Sequence, residues 1–175
     1  MLRTVGVSVY YELTEGIGTD MNAQHNVFIS HRHEDDALIA KLKDMLAKRN
    51  CDVRDSSITS EIPNNAKAEG YIKSILAERI QWAGKMIVIV SPETKNHEWV
   101  DWEVEYVNKY PDKRIIGVWA PGAGQSDLPD PLNKFADAVV TWDADQIIDA
   151  LNGEDNWQQP DGAEVPERSI RRIGC

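Results

Sequence analysis

Met86-Ile87-Val88-Ile89-Val90 is apolar at every position and is closed by Ser91-Pro92. A run with no polar face reads as a central strand covered on both sides. Upstream, Tyr71, Ile72, Ile75, Leu76 and Ile80 follow helical spacing. Downstream, Trp99, Trp102, Tyr106 and Val107 mark a helix from about 97 to 110. Farther out on the N-terminal side stand Val27-Phe28-Ile29, ending at Ser30, and the short strand Cys51 to Asp55. Leu38, Ile39, Leu42, Met45 and Leu46 trace one helical face between these two strands. On the C-terminal side come the strand Ile115 to Trp119, a loop from Pro121 to Pro131, the strand Ala138 to Trp142 and a short helix from Ala144 to Leu151. Strands at 26–30, 51–55, 86–91, 114–119 and 138–142 alternate with helices, which implies parallel pairing through right-handed crossovers. The expected architecture is α/β: a flavodoxin-like three-layer sandwich with a five-stranded parallel sheet.

That pattern occupies residues 25–152. Residues 1–24 form an N-terminal arm or an extra strand, since Val5, Val7 and Val9 alternate ahead of Tyr10 and Tyr11. Residues 153–175 form a tail with Pro160, Pro166 and many charges, packed on or near the domain and without a core of its own.

The chain has 175 residues, which suits one α/β domain. It carries 19 Lys+Arg against 29 Asp+Glu, a formal charge of -10. This balance disfavours nucleic acid and anionic membrane as partners, because both are gripped by clustered cations. No apolar run approaches the roughly 18 residues of a membrane span. Met1 to Tyr11 lacks the long apolar stretch of a secretory signal. Cys51 and Cys175 are too few for a disulfide scaffold or a four-cysteine zinc site. The expected setting is therefore cytoplasmic and reducing.

In an open parallel sheet, ligands bind beyond the carboxyl ends of the strands, near the point where strand order reverses. The rule selects Ser30 to His33, Arg54 to Ser57, Ser91 to Thr94 and the loop after Trp119. The long loop Ser56 to Asn65 is a natural gate or assembly surface. His31-Arg32-His33-Glu34-Asp35-Asp36 has a His-x-His-x-Asp spacing known from metal sites, but few histidines remain to complete one, and Asp36 stands where a histidine would be wanted. The plainer reading is a solvated loop whose acids favour a helix N-terminus, so no metal is expected. Gly16-x-Gly18 lacks the third glycine of a dinucleotide fingerprint and the strand–helix setting it needs. A phosphorelay receiver is excluded because the third strand ends in Ser91 where an aspartate would accept phosphate.

The most informative segment is Asn96-His97-Glu98-Trp99-Val100-Asp101-Trp102-Glu103-Val104-Glu105. Trp99, Trp102 and Tyr106 share one helical face, and Glu103 lies one turn beyond Trp99. Tryptophans pack and glutamates solvate in most helices. This helix, however, begins just beyond the central strand, at the cleft, where a carboxylate can stabilise a developing sugar cation.

Three blocks resemble a TIR-like domain of the bacterial Thoeris ThsB kind, over residues 25 to 152. They are Val27 to Asp35, Val53-Arg54-Asp55-Ser56-Ser57-Ile58 with the Pro63 loop, and Ile87 to Thr94 followed by Trp99 to Glu103 and Ile115 to Val118. The resemblance implies cleavage of NAD at the nicotinamide–ribose bond, giving ADP-ribose or a cyclic or related signal, in antiphage defence. It implies NAD as substrate and no cofactor, Glu103 as the catalytic residue, self-association through TIR-like surfaces, and a downstream effector that responds to the product. Phe28, Ser30, Arg32, Asp55, Ser57, Ser91, Trp99 and Trp102 are the candidate substrate contacts. The chemistry suits these residue types. Nicotinamide is already cationic in NAD and leaves neutral, so the enzyme needs a carboxylate and ribose contacts rather than a general acid. Two other readings share the sequence: an interaction scaffold without turnover, and a nucleoside-processing transferase that also uses a carboxylate.

Overall fold

The computed structural model describes residues 23–58 and 68–166. The expected strand at Val5 to Tyr11, Gly16, Gly18, most of the gate loop and Cys175 lie outside those residues. Five strands form one parallel sheet: β1 (Ala23–Ser30), β2 (Cys51–Asp55), β3 (Lys85–Val90), β4 (Arg114–Trp119) and β5 (Ala138–Val140). Their order is β2-β1-β3-β4-β5, with β3 in the middle as its apolar run requires. Order reverses between β1 and β3, which places the crevice beyond their carboxyl ends.

Helices α1 (Asp36–Ala47), α2 (Glu69–Trp82), α3 (Glu98–Asn108), α4 (Asp130–Phe135) and α5 (Ala144–Asn152) cover the two faces. Strand side chains alternate between faces. Ile87 and Ile89 therefore join Val27, Ile29, Leu42, Leu46 and Ile147 under α1 and α5. Met86, Val88 and Val90 join Phe28, Leu76, Ile80, Val100, Val104 and Leu132 under α2, α3 and α4. The same parity puts Ser30 on the α3 side, two residues after Phe28, at the mouth of the crevice.

Four details depart from the sequence reading. β1 begins at Ala23, earlier than expected, and β5 stops at Val140. The helix after β1 opens with a 3-10 turn over His33–Asp35. The segment between β4 and β5 is not all loop, because its end forms α4. Six residues with two prolines nearby carry almost no periodic signal, yet a parallel crossover must cover the sheet. The close seating of α4 uses Gly117 of β4: a Cβ there would lie 3.1 Å from Leu132 and 3.2 Å from Val139.

The start of the tail also belongs to the core. Trp157 is 6% exposed and packs on the α3 side. Val139 donates to Asn156 O at 2.9 Å and accepts from Gln158 N at 2.7 Å, so the tail lies along the outer edge of β5 and covers backbone groups that would otherwise be open to another chain. Among the described residues no helix is long and apolar enough to cross a membrane.

Candidate functional site

Ser30 ends β1 and is 1% exposed. Glu103 lies in the second turn of α3 and is 7% exposed. The Ser30 hydroxyl donates to Glu103 Oε2 in a short hydrogen bond between residues 73 apart in sequence. Among the described residues Glu103 has no ion-pair partner. Burial pushes its carboxyl up to about 8, and the Ser30 hydroxyl opposes that rise only in part. A carboxyl buried without a countercharge favours its neutral form. At neutral pH the buried group therefore favours its protonated form.

A second cluster lies beside it. The Ser91 hydroxyl donates to Asp35 Oδ2 and lies 3.0 Å from Thr94 Oγ1. Ser91 N donates to the same Thr94 oxygen at 2.8 Å, which stiffens the turn after β3. Arg32 reaches across from the β1 loop. Its guanidinium donates to Pro92 O and stands 3.2 Å from Glu93, 3.4 Å from Asp35 and 3.5 Å from Glu34. Glu93 has φ 73°, a left-handed conformation unusual outside glycine, and its N–H is held by Asp127 at 3.0 Å. The loops after β1 and β3 are thereby tied together across the crevice.

The histidines after β1 serve this scaffold. His31 Nδ1 is 3.0 Å from Ile29 O, and Nε2 is 2.8 Å from Asp36. Among the described residues no group of three or more His, Cys, Asp or Glu converges as metal ligands. His97 occupies the position before α3 without a side-chain capping bond and lies near Glu34, Arg32 and Asp35; burial lowers its pKa, and its Nδ1 has no hydrogen-bond partner among the described residues.

The remaining candidates separate. Phe28 is 2% exposed and packs in the core beneath α2 and α3. Asp55 accepts from Ser57 N and Ser57 Oγ, each at 2.8 Å, so this pair closes a turn at the end of β2. Trp99 and Trp102 stand edge to face, with centroids 6.4 Å apart, on the side of α3 that meets α2. Trp102 stacks on Tyr106 at 5.2 Å, and the Tyr106 hydroxyl accepts from Gln81 at 3.0 Å. Lys73 of α2 enters the same groove, with its ammonium 5.9 Å from the Trp99 ring and 5.5 Å from the Trp102 ring. Sequence reasoning did not single out Lys73 or Asp35 as site residues. Asp35 carried one usable signal, its i,i+3 spacing from Arg32. Lys73 carried none, because its partners lie far along the chain.

Residues 28–125, more than half of the chain, match the family model described as "Thoeris protein ThsB, TIR-like domain". No curated protein matches the chain. Among solved structures, a conserved protein from Enterococcus faecalis V583 aligns at 10% identity and TM-score 0.44, over 57% of this chain and 66% of that one. The TIR domains of the activated Roq1 resistosome, which directly recognises the pathogen effector XopQ, align at 18% identity and TM-score 0.39, over 54% and 57%. The Clostridium botulinum CMP N-glycosidase BcmB aligns at 13% identity and TM-score 0.44, over 73% and 98%. The chain thus spans less than two thirds of the first two structures. Likenesses this distant say nothing about activity.

Proposed function

The chain belongs to the Thoeris ThsB TIR-like family, and from that premise we propose that it cleaves NAD between nicotinamide and ribose, with Glu103 as the catalytic carboxylate. One observation carries this reading: a buried carboxyl, held by Ser30 at the carboxyl ends of β1 and β3, with no cation beside it among the described residues. Such a group is unfavourable for stability, because its ionisation in a dry site is costly. Its place at the point where strand order reverses is where this class of sheet binds ligands.

The chemistry uses that unmatched acid. The pyridinium of NAD brings a positive charge to Glu103 and draws the carboxyl into its ionised form, its proton passing to solvent. The C1′–N bond breaks, its electron pair leaves with the ring nitrogen, and neutral nicotinamide is released. Positive charge then develops on the ribose, where the carboxylate stabilises it. Water adds to C1′ and releases a proton, giving ADP-ribose; capture by an adenine nitrogen gives a cyclic isomer. Ser30 holds the carboxyl in place. Arg32 and Ser91 stand at the rim, within the cluster that ties the two loops. The product serves as a signal to a separate effector in defence, and copies of the chain associate through their TIR-like surfaces.

Mass spectrometry after incubation with NAD tests this proposal. Nicotinamide appears together with an ADP-ribose-type product. Absence of both under conditions that assemble the protein leaves the scaffold reading. Cleavage of free nucleosides in place of NAD favours the transferase reading.

A further inference from the structure

We propose that the outer edge of β2 takes residues 5–11 of the same chain as one further, antiparallel strand, with Val5, Val7 and Val9 on the α1 side of the sheet. β2 and β5 are the two edge strands. The β5 edge is closed by the tail through Val139. At the β2 edge, Ser56 N donates to Val27 O at 3.0 Å, so the even-numbered residues turn their backbone groups toward β1. By the two-residue alternation of a strand, Cys51, Val53 and Asp55 turn theirs outward. No group among the described residues accepts those three N–H groups. An edge of this kind is a template for another strand.

Pattern, reach and direction name the occupant. Cys51 and Val53 are buried on the α1 side, whereas Asp52 and Arg54 are exposed on the α2 side. Val5-Gly6-Val7-Ser8-Val9-Tyr10 has the same alternation, an apolar residue and then a small or polar one. An in-phase register lays its valines beside Cys51 and Val53 and leaves Gly6 and Ser8 with the charged face. α1 adds Leu38 and Met45, only partly buried against the core that holds Cys51 and Val53. The same register carries Tyr10 to the α2 side, where Trp82 is 45% exposed with the Arg54 guanidinium 5.7 Å from its ring centroid. Ala23 opens β1 and pairs with Cys51, so the chain entering β1 passes the foot of the open edge. The outer side of β2 lies two strand spacings from β1, about 10 Å, and residues 12–22 can span up to about 36 Å. A link that short, ending at the amino end of β1, brings the preceding segment down the edge from the opposite end, whereas a parallel return needs a longer crossover. Antiparallel edge strands on otherwise parallel sheets are common. A segment tethered this closely is present at roughly millimolar local concentration, which favours it over a free second copy.

Amide hydrogen exchange on the full chain, read residue by residue by NMR, tests the pairing without substrate, so its failure leaves the catalytic reading standing. In the parent protein the Val53 N–H, which faces the open edge, should exchange about a hundredfold more slowly than an open-chain amide. Val7→Pro and Ser8→Pro each remove one N–H, on opposite sides of an extended segment. Proline is tolerated where the N–H side faces solvent and not where it must donate. One variant should therefore speed Val53 exchange by about tenfold or more and the other much less, while buried Val88 of β3 keeps its protection in both. Should a proline also expose Val88, Val7→Ser is read in its place, since it keeps every N–H and removes only an apolar contact; Val53 then exchanges faster and Val88 does not. Fast exchange of Val53 in the parent, an unchanged Val53 in the variants, or an equal change in both proline variants overturns the proposal. Protection of Val53 that strengthens with protein concentration gives the edge to a second copy and overturns the intramolecular pairing.

Discussion

The two ends of the sheet bury ionisable groups of opposite kind, an acid at one end and bases at the other. At the carboxyl end, Glu103 stands with a hydroxyl and, among the described residues, no base. At the amino end, Lys85 Nζ lies 2.8 Å from His25 Nδ1, and Arg114 stands near enough to disfavour a further positive charge on Lys85. Burial lowers both Lys85 and His25, as it raises Glu103. The outcomes differ because of what surrounds each group. The bases at the amino end share a hydrogen bond, and Arg114 is anchored by Asp155 at 2.7 Å. The acid at the carboxyl end is left for something to come. A buried ionisable group marks a site when the fold has not completed it, and burial alone does not decide.

The sharpest way to break this contrast is Glu103→Gln. It keeps the shape and removes the charge, so nicotinamide release should fall by about a hundredfold or more. Glu105 is exposed and points about 200° around the same helix, so Glu105→Gln should leave release near normal. Equal release from all three proteins would detach Glu103 from catalysis.

Ser30→Ala should act through the carboxyl it holds. Loss of a hydrogen bond to a group that becomes charged should lower kcat by about tenfold. The Ser30 hydroxyl favours the ionised form, so its removal should also move the rising limb of the pH–rate profile to higher pH. A slower enzyme with an unmoved profile would reduce Ser30 to packing.

Stability should respond in the opposite sense to activity. The folded state holds the Glu103 proton up to about 8, far above the ordinary glutamate value of 4.5. Its contribution is therefore fully present below pH 4.5 and is lost as pH rises through about 8. Glu103→Gln never ionises, so it should melt above the parent protein at pH 9, and the advantage should shrink toward pH 5. A melting difference independent of pH would contradict the raised carboxyl.

The smallest effect belongs to the amino end. Lys85→Met should leave nicotinamide release unchanged, since the sheet separates that residue from the crevice. A marked fall would show that the two ends are coupled.

Much of this was legible along the chain because it is periodic. The all-apolar run Met86 to Val90 could only be a covered strand, and its alternation with helical faces implied the parallel sheet. Glu103 was singled out because the resemblance to TIR-like domains assigns a role to a glutamate one turn after a helix tryptophan, and the order of elements puts that helix at the crevice. Two kinds of feature were not legible. Six-residue α4 and the single tryptophan Trp157 are too short to show a period, and each is set by what the sheet needs covered. The contacts that give the site its chemistry join distant positions: Ser30 with Glu103, Ser91 with Asp35, Lys73 with two indoles. Hydrogen bonds and ring contacts depend on distances of a few ångströms, which the sequence does not contain. The amino acids determined the fold and the presence of a carboxylate at the crevice. The packing of α3 against β1 and α2 decided that this carboxylate is dry and unmatched, because burial and the neighbourhood of a charge exist only once the chain is folded.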